Sequence, residues 1–460
     1  MKEYDVLVIG GGAANKIAGK AHESGLNVAL VEKDALLGTC VNEGCVPSKM
    51  LIHTADVIRN AKEADRIDIS LNLQHVHFSE LMERVRSRRQ RVVESKTNSV
   101  RKKKGYDLYE EKGVFVDEYL LEVNDEILTA NQIVIATGAR PFIPPIDGID
   151  EVEYLTNRSL LELKEQPEKL IIIGGGYVGV EYGHFFSAIG TDVTIVGRSP
   201  HLIKNEDRDV CQLLKTELSK RMEIHTGFAA KKLVQNGSMR TVIASSVETD
   251  DEIEVTGDAI LVATGRIPNS DITKPEKTGV KIDDKGYIIV DEYMRTSKKG
   301  IWATGDAIGD PMLKHVADEE NRIAWENIKR ARENRTDLIP MDYSAIPLAL
   351  FTRPEVARVG MTLKEAKEKY DGLLIGMEEY AHVVMGEAMG KPQGFCRIVV
   401  DKKTGKILGA TIIGPHASIL MQSIINVIYS DKNDYRTLKD AIYIHPSLSK
   451  IIRKAALDIK

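Results

Sequence analysis

The sequence has few cysteines, no long apolar run and no strong excess of charge of one sign, and each shortage excludes a class of protein. Only four cysteines occur in 460 residues, which excludes a small disulfide-stapled scaffold. No apolar run approaches the roughly 20 residues that a membrane-spanning helix needs. The net charge of −5 gives no general attraction to nucleic acid. The remaining composition, 43% hydrophobic and 28% charged, predicts a soluble globular chain of several domains.

The start of the sequence and its low cysteine content predict a cytoplasmic protein. The first strand is predicted to begin at Tyr4, and no signal peptide precedes it. In a reducing compartment a lasting disulfide is unusual, whereas one that opens and closes during a reaction is not.

Two of the four cysteines lie close together in the stretch GTCVNEGCVPSK, Gly38 to Lys49. The other two, Cys211 and Cys396, are single and distant, so neither a zinc site nor an iron–sulfur run fits, and no metal is predicted. Polar and flexible neighbours favour an accessible loop that enters a helix over two thiols packed in a core. The leading interpretation is therefore a redox-active pair.

A disulfide between Cys40 and Cys45 requires an irregular backbone. Five residues of an ideal helix rise about 7.5 Å, more than the roughly 4.4–6.8 Å between the Cα atoms of a disulfide. A bridge thus needs a distorted first turn, which Gly44 can supply. Strained, exposed bridges are the easily reduced, catalytic kind.

A dinucleotide-binding fingerprint occupies the N-terminus. The apolar strand Val6 to Ile9 leads into Gly10 and Gly12, and a second strand ends in Glu32. The glycines let the backbone approach a pyrophosphate, and the acid binds a ribose hydroxyl. Asn15 replaces the third glycine, which normally allows close packing of helix and strand.

A second fingerprint recurs with all three glycines, at Gly174, Gly176 and Gly179. Alignment of the second strands sets Gly197 against Glu32 and places Arg198 directly after it, with Lys204 six residues further on. A cation without the acid accommodates a 2′-phosphate and favours NADPH over NADH. An ordinary surface arginine at 198 is the alternative.

Two dinucleotide modules and a cysteine pair predict a path for electrons. One module binds the hydride donor, and the other binds a carrier that converts a two-electron hydride into thiol chemistry. FAD does this work, because it accepts a hydride and also reacts with a thiolate. Electrons are expected to pass from NADPH to FAD, to the cysteine pair and to an outside disulfide; NAD is a possible substitute for NADP.

With C-x4-C between two Rossmann fingerprints, the chain resembles the class I pyridine nucleotide–disulfide oxidoreductases, which include dihydrolipoamide dehydrogenase and glutathione, mycothione and mercuric reductases. The resemblance covers essentially all 460 residues. Further matching stretches, in order, are IVIATGARP (133–141), ILVATGRIPN (260–269), IWATGDAIGD (301–310), FTRPEVARVG (351–360) and IHPSLSK (444–450).

The resemblance implies catalytic roles for five residues. Cys45 lies against the flavin as the charge-transfer thiolate, and Cys40 attacks the substrate. Lys49 pairs with Glu181 near the flavin, and His445 reaches across a two-fold dimer as the acid–base. Plain alternatives remain: a structural salt bridge for Lys49 and Glu181, and a capping or core histidine for His445. Lys450 departs from the glutamate that the family usually carries five residues after this histidine.

The resemblance also implies the cofactor contacts. Tyr177 gates the nicotinamide pocket, Asp306 holds the flavin ribityl chain and Glu32 holds the adenosine ribose. The residues assigned to cofactor binding in all are Gly10, Gly12, Glu32, Lys49, Thr137, Gly138, Asp306, Gly174, Gly176, Tyr177, Gly179, Arg198, Lys204 and Gly265.

The expected fold is α/β, with two Rossmann-like dinucleotide-binding domains and a C-terminal α/β dimerisation domain. Residues 1–150 begin the FAD domain, with an excursion near 65–110, and residues 151–270 form the NAD(P) domain. Residues 271–345 return to the FAD domain, and residues 346–460 form the dimerisation domain of a homodimer.

The substrate and one charged segment are less defined. Gly197 stands where a dihydrolipoamide dehydrogenase carries an acid, and Asn15 at the third glycine position resembles mycothione reductases. Both features favour an NADPH-dependent reductase of a small-molecule disulfide over a dihydrolipoamide dehydrogenase. Mercuric-ion or quinone reduction and a redox sensor without turnover are further alternatives.

The segment from Arg84 to Lys104 contains ten basic residues and only one acidic residue. It is either a solvated helix face or a docking site for an acidic partner.

Overall fold

The computed structural model describes residues 1–460 and confirms the predicted α/β class. The chain forms two compact units, each built from three segments. The first unit comprises Met1–Pro47, Glu80–Phe142 and Gly265–Asp342, and the second comprises Ser48–Ser79, Ile143–Thr264 and Tyr343–Lys460. No helix is both long enough and apolar enough to cross a lipid bilayer. The four-segment division of the sequence stays a prediction.

The strands number 21. In chain order they are β1 Lys2–Ile9, β2 Val28–Val31, β3 Tyr106–Tyr109, β4 Gly113–Asp117, β5 Leu120–Val123, β6 Glu126–Ile135, β7 Ala139–Pro141, β8 Lys169–Ile173, β9 Asp192–Gly197, β10 Glu223–Thr226, β11 Phe228–Asn236, β12 Met239–Ser246, β13 Glu252–Gly257, β14 Ala259–Val262, β15 Arg266–Pro268, β16 Ile301–Ala303, β17 Pro347–Leu350, β18 Glu355–Gly360, β19 Leu373–Glu379, β20 Phe395–Asp401 and β21 Ile407–Gly414.

The α-helices number 13. They are α1 Asn15–Glu23, α2 Gly38–Asn42, α3 Cys45–Lys62, α4 Phe78–Arg101, α5 Tyr177–Ile189, α6 Arg208–Leu218, α7 Ser270–Thr273, α8 Lys314–Arg332, α9 Leu363–Lys369, α10 Val384–Ala388, α11 Ala417–Ile428, α12 Arg436–Asp440 and α13 Lys450–Leu457. Short 3-10 turns cover Ala64–Ile67, Ile149–Glu151, Ser159–Glu162, Pro275–Thr278, Gly305–Ile308 and Tyr380–His382.

The first unit is organised on a seven-stranded sheet in the order β3-β2-β1-β6-β5-β4, with β16 also paired to β6. The strands β3, β2, β1, β6 and β16 run parallel. The whole of β2 and β16 and the carboxyl-terminal ends of β1 and β6 are apolar and buried, as expected in the middle of a parallel sheet. Ile9 pairs with Val31 on one side and Ile135 on the other. The carboxyl ends of β1, β2 and β6 therefore meet at one edge, where such sheets bind ligands.

The second unit contains three sheets. A four-stranded parallel sheet has the order β10-β9-β8-β14, and a three-stranded antiparallel sheet contains β11, β12 and β13. The C-terminal part has a five-stranded antiparallel sheet, β17-β18-β21-β20-β19, whose apolar face packs against α11 and α13. The parallel sheet and the N-terminal part of the first unit repeat the same strand–glycine–helix–strand plan, as the two fingerprints predicted.

The basic segment lies mostly on helix α4. Its apolar positions, including Leu81, Met82, Val85 and Val100, are buried at helical spacing, which leaves most of the charged side chains on the outer face. Arg86 pairs with Glu83 on the same helix, 3.2 Å away.

Candidate functional site

The cysteine pair lies at a break between two helices of the chain. Helix α2 ends at Asn42 and helix α3 begins at Cys45, so the backbone between the two cysteines is not a regular helix. At Gly44 a Cβ would lie only 3.1 Å from the carbonyl oxygen of Thr39, which leaves little room for a side chain. The irregular turn that a Cys40–Cys45 bridge requires is therefore present in the backbone.

The two sulfurs interact directly. Both cysteines are thiols in this structure, Cys40 half-buried and Cys45 exposed. The hydrogen bond from the Cys40 thiol to Cys45, followed by burial, raises the pKa of Cys40 above its ordinary value. A thiol held in this way donates to its neighbour, so the neighbour is the sulfur better placed to carry negative charge.

Asn42, which sequence reasoning missed, holds the segment that leads into the pair. Its side-chain amide donates to the carbonyl oxygens of Leu36 and Gly38, both at 3.0 Å. The side-chain oxygen of Asn42 is buried and has no hydrogen-bond partner within the chain. The only sequence signal was a polar residue between the two cysteines.

The first glycine loop has the shape of a phosphate cradle. Gly10 has a φ of +110°, and a Cβ there would overlap the carbonyl oxygen of Ala136. Gly38 likewise would place a Cβ 2.7 Å from the Cα of Gly12. The main chain around this loop is therefore packed directly against neighbouring main chain, with no room for side chains. Backbone amide groups close to a helix N-terminus can then face an anion.

Asn15 fits at the third position because the helix begins later in this module. Helix α1 starts at Asn15 itself, five residues after Gly10, whereas α5 starts at Tyr177, three residues after Gly174. The Asn15 side chain is buried and donates to the carbonyl oxygen of Gly12. The substitution thus adds a hydrogen bond to the glycine loop in place of close packing.

Glu32 lies where a ribose acceptor is needed. Its two carboxylate oxygens accept hydrogen bonds from the backbone amides of Gly11, at 2.7 Å, and Asp34, at 2.9 Å. Burial raises the pKa of Glu32 despite these two amides. The remaining lone pairs can accept from a hydroxyl group.

Asp306 and the residues after β6 are the remaining predicted cofactor contacts of the first unit. Asp306 lies in the 3-10 turn that follows β16, with Arg266 Nε 3.5 Å from its carboxylate, and burial raises its pKa. Thr137 has a buried hydroxyl without a partner in the chain, and its carbonyl accepts from Asn269 at 2.8 Å. Gly138 and Gly265 both have positive φ and open space at the Cβ position.

These features of the first unit fit FAD. A glycine cradle suits the pyrophosphate, Glu32 suits the adenosine ribose, and unpartnered buried polar atoms of Asn42 and Thr137 remain available to a polar ligand.

The second glycine loop repeats the geometry of the first. Gly174 has a φ of +126°, and a Cβ there would overlap the carbonyl oxygen of Ala263, just as Gly10 meets Ala136. A Cβ at Gly179 would overlap the carbonyl oxygen of Gly174, whereas Gly176 has open space. Gly179 thus serves close packing of helix and strand, and Gly176 leaves room for a ligand.

The end of β9 is basic and open. Gly197 is buried, and a Cβ there would lie 3.4 Å from the amide nitrogen of Gly175. Arg198 and Lys204 are both exposed and follow this glycine on the same loop. The second unit therefore presents cations where the first presents Glu32, which fits a 2′-phosphate.

Tyr177, the first residue of α5, belongs to a network that sequence reasoning missed. Its hydroxyl donates to Glu206 Oε1 at 2.7 Å, and Arg358 Nε donates to Glu206 Oε2 at 2.9 Å. The Glu206 side chain is completely buried. Burial and the Glu206 charge raise the pKa of Tyr177, so its hydroxyl stays protonated and can donate.

Lys49 and Glu181 are brought together in the second unit. Lys49 Nζ lies 2.9 and 2.7 Å from the two carboxylate oxygens of Glu181, and the ammonium also sits 4.7 Å from the centre of the Phe351 ring. The Phe351 amide donates to Glu181 at 3.0 Å. Burial raises the pKa of Glu181 in spite of these partners.

His445 lies on the surface of the second unit. The ring is exposed, as are the preceding Ile442 and Ile444, which are both large apolar residues. The chain nowhere gathers three or more histidine, cysteine or acidic side chains that could hold a metal ion.

Comparison with protein families identifies both parts of the chain. Residues 4–320 match the pyridine nucleotide-disulphide oxidoreductase model, and residues 346–456 match the dimerisation domain of the same family.

Individual relatives agree with this match. The chain is 32% identical to mycothione reductase of Mycobacterium tuberculosis, over 100% of both chains. It is 34% identical to mercuric reductase of Staphylococcus aureus, over 90% of this chain and 75% of the relative. It is 33% identical to dihydrolipoyl dehydrogenase of Haloferax volcanii, over 98% and 95%.

A solved structure gives the same result. The HOCl-induced flavoprotein disulfide reductase RclA of Escherichia coli superposes with a TM-score of 0.86 and 26% identity, over 99% of this chain and 100% of RclA. The chain therefore belongs to the class I pyridine nucleotide–disulfide oxidoreductases, flavin-dependent enzymes that use FAD and NAD(P)H and act on sulfur groups.

Proposed function

We propose that this chain passes two electrons from NADPH through FAD to the Cys40–Cys45 pair and from there to a small-molecule disulfide. The observation that carries the proposal is the direct interaction of the two thiols across the break between α2 and α3. Bound FAD supplies hydride acceptance and reaction with a thiolate. The thiol–disulfide exchange steps are carried out by Cys40 and Cys45.

The thiol chemistry balances on two sulfurs. The Cys40 thiolate attacks one sulfur of the outside disulfide, the S–S bond of the substrate breaks, and the departing thiolate takes a proton. The Cys45 thiolate then attacks the Cys40 sulfur of the mixed disulfide and releases the second thiol. The substrate has gained two electrons, and the Cys40–Cys45 disulfide that results holds the oxidation.

The proton for the departing thiol comes, in this proposal, from His445 of the second copy of the chain. The exposure of His445 beside Ile442 and Ile444 supports a position at a subunit interface. Two inactive variants, Cys45→Ser and His445→Ala, should then complement each other. Random reassociation of the mixture should restore roughly a quarter of wild-type turnover, because half of the dimers are mixed and each has one complete site. Absence of any recovery would place His445 in its own chain's site or in none.

The nicotinamide site is proposed to prefer NADPH because Arg198 and Lys204 flank Gly197. A charge-assisted contact contributes about 1.5–3 kcal/mol, so Arg198→Ala should lower kcat/KM for NADPH by more than about tenfold and change that for NADH little. Arg208→Ala is a matched control, since Arg208 is exposed at the start of the next helix. Equal use of both cofactors by the wild type would overturn this preference.

The other site residues keep the roles that the family resemblance implies. Glu181 is buried and forms a charge pair that positions the partly exposed Lys49, Tyr177 covers the nicotinamide pocket, and Asp306 binds the ribityl chain. The remaining proposed cofactor contacts are Gly10, Gly12, Glu32, Thr137, Gly138, Gly174, Gly176, Gly179 and Gly265.

Two substrate classes are favoured by different relatives. Likeness to mycothione reductase along the whole of both chains, together with Asn15 and the basic loop after β9, favours an NADPH-linked reductase of a low-molecular-weight thiol disulfide. Likeness to dihydrolipoyl dehydrogenase favours NAD-linked oxidation of a dithiol. Gly197 in place of an acid argues for the first.

A substrate screen tests the proposal. The FAD-loaded enzyme is assayed with NADPH and NADH against mycothione, glutathione disulfide, coenzyme A disulfide, bis-γ-glutamylcystine, lipoamide and mercuric ion. Turnover of one thiol disulfide with NADPH supports the proposal, and faster turnover of lipoamide with NADH promotes the second class. Turnover of mercuric ion alone, or of none, indicates a metal-ion reductase or a redox sensor.

The setting of the enzyme is also proposed. We place it in the cytoplasm, where its substrate would be kept as the thiol. We also propose that the chain divides into the four segments expected from its sequence, residues 1–150, 151–270, 271–345 and 346–460.

The basic segment Arg84–Lys104 is proposed to dock an acidic partner.

A further inference from the structure

The loop that follows strand β9 is tied to the second glycine loop by two hydrogen bonds. The backbone amide of Ile203 donates to the carbonyl oxygen of Gly175 at 2.9 Å. Three residues later, Glu206 accepts from the hydroxyl of Tyr177 at 2.7 Å. Gly175 and Tyr177 lie where β8 ends and α5 begins. The loop after β9 therefore lies directly against the N-terminus of α5.

The C-terminal part of the same unit holds this loop from another side. Arg358, on strand β18, donates to Glu206 Oε2 at 2.9 Å. The carboxylate of Asp207 accepts from the first two backbone amides of α9, at 2.9 and 3.1 Å, and from Arg397 of β20 at 2.6 Å. Two consecutive acidic side chains are thus bound by three elements of the C-terminal part, which fixes this stretch of the loop.

Glu206 is an acceptor with one possible orientation. Its side chain is 0% exposed, and that of Arg358 is 14% exposed. Tyr177 occupies one carboxylate oxygen and Arg358 the other. A turn of the carboxylate away from the guanidinium would leave a buried charge unpaired, which is strongly unfavourable. The hydroxyl of Tyr177 therefore donates to a fixed acceptor.

The Tyr177 ring is the partner that can move. It is half-buried and belongs to the first residue of α5, directly after Gly176, which is exposed and has open space around it. A tyrosine ring changes position by rotation about two side-chain torsions. The bond to Glu206 restricts that rotation, so it holds the ring in one place beside the space left for a dinucleotide.

We propose that Glu206, braced by Arg358, is a positioning residue that latches the Tyr177 ring across the nicotinamide pocket. The proposal rests on the proposed function of Tyr177, which is to cover that pocket, and adds the two residues that control it. Entry of the nicotinamide ring requires the Tyr177 hydroxyl to leave Glu206. Strand β18 therefore sets, through Arg358, how readily the pocket opens.

Tyr177→Phe tests the latch, because it removes the hydroxyl and keeps the ring. A hydrogen bond to a charged group favours the closed position by about tenfold or more. The variant should therefore bind NADP⁺ about tenfold faster than wild type, with a dissociation rate that changes little. Stopped-flow perturbation of the flavin absorbance in the FAD-loaded protein measures both rates. NADP⁺ delivers no electrons, so no turnover enters the measurement.

A shorter nucleotide and a second tyrosine serve as controls. The fragment 2′,5′-ADP carries the adenosine half without the nicotinamide, so isothermal titration should give the same affinity for wild type and Tyr177→Phe. Tyr380 is buried in the same unit and its hydroxyl donates to the carbonyl oxygen of Pro415 at 2.8 Å. Tyr380→Phe loses a similar hydrogen bond and should lower Tm while both NADP⁺ rates stay at the wild-type values.

A double-mutant cycle tests whether Arg358 acts through Tyr177. Arg358→Lys keeps the charge but replaces a planar guanidinium with a flexible ammonium, so it should loosen the latch and speed NADP⁺ association about threefold. Combined with Tyr177→Phe it should add nothing, because the contact through which Arg358 acts is already absent. An equal gain from Arg358→Lys in both backgrounds would overturn its role in the latch.

The outcomes separate this proposal from the proposed function. Faster NADP⁺ association for Tyr177→Phe, with unchanged affinity for 2′,5′-ADP, supports the latch. Unchanged or slower association, or a similar gain for 2′,5′-ADP, overturns it and shows that the network only stabilises the loop. A wild-type protein that binds neither NADP⁺ nor 2′,5′-ADP would overturn the proposed function itself, and the latch with it.

Discussion

Among single residues, the Lys49–Glu181 pair has a pH-dependent consequence for stability. Burial raises the pKa of Glu181, and Lys49, 2.7 Å away, opposes that effect. A carboxyl group with a raised folded-state pKa is most stabilising when protonated, and that contribution is lost as pH rises above the ordinary value near 4.5. Removal of Lys49 should enlarge this loss.

Lys49→Met should therefore lower the apparent Tm, and the deficit relative to wild type should grow from pH 5 to pH 8. Charge-assisted hydrogen bonds contribute about 1.5–3 kcal/mol, and the partial exposure of Lys49 (36%) places the expected loss at the lower end. Differential scanning calorimetry at both pH values measures it.

Lys62→Met is the matched control for this measurement. Lys62 lies on the same helix and donates to the carbonyl oxygen of Ala188 at 3.0 Å, and a carbonyl group does not titrate. Its Tm deficit should be the same at both pH values. A deficit for Lys49→Met that is independent of pH would show that Glu181 is not the titrating partner.

The residues that sequence reasoning identified and those that it missed differ in how their positions are encoded. Cys40, Cys45 and Lys49 lie within one continuous motif, which short-range spacing describes. Glu206 and Arg358 contact each other across 152 positions of sequence, and no local pattern specifies such a partner.

Among the structural elements, the second glycine loop contains one glycine needed for packing, Gly179, and one that leaves room for a ligand, Gly176. A Cβ at Gly179 would overlap the carbonyl oxygen of Gly174, whereas Gly176 has open space around it. Gly179→Ala should lower the apparent Tm by several degrees. Gly176→Ala should leave Tm nearly unchanged and weaken NADP⁺ binding at least about tenfold, because the methyl group occupies space meant for pyrophosphate.

Calorimetric Tm and isothermal titration with NADP⁺ measure the two effects. NADP⁺ delivers no electrons, so binding is observed without turnover. If Gly179→Ala is as stable as wild type, the packing argument for the third glycine is wrong. If Gly176→Ala binds normally, the phosphate lies elsewhere.

The first glycine loop shows why a motif with a missing member still folds. Sequence reasoning expected Asn15 to strain the match, because a side chain takes the place of the third glycine. The structure starts α1 later and turns the Asn15 amide onto the Gly12 carbonyl, a local adjustment that spacing alone does not predict. The periodic strands and helices around it were predictable because each buries a regular apolar face.

For the whole molecule, the C-terminal part is expected to build the homodimer that its family match indicates. Ile442 is fully exposed in the single chain and Ile444 is 80% exposed, so both have apolar surface to bury. The double variant Ile442→Asp/Ile444→Asp should shift the protein toward monomer in sedimentation equilibrium. It should also lose disulfide turnover, since His445 adjoins this surface.

Ile289→Asp serves as the control, because Ile289 is 48% exposed and lies outside residues 346–456. It should remain a dimer with normal turnover. A double variant that stays dimeric would move the interface away from Ile442 and Ile444, and a monomer with full turnover would refute the cross-subunit role of His445.

The most direct test of the electron path is an anaerobic reductive titration that counts electrons. With one FAD per chain, the wild-type protein should take up about four electrons, two on the flavin and two on the Cys40–Cys45 disulfide. Cys45→Ser should take up about two electrons. Cys211→Ser should match wild type, because Cys211 is buried and lies far from the pair along the sequence. Uptake of only two electrons by the wild type, or a protein that cannot be loaded with FAD, would contradict the path from NADPH through flavin to the cysteine pair.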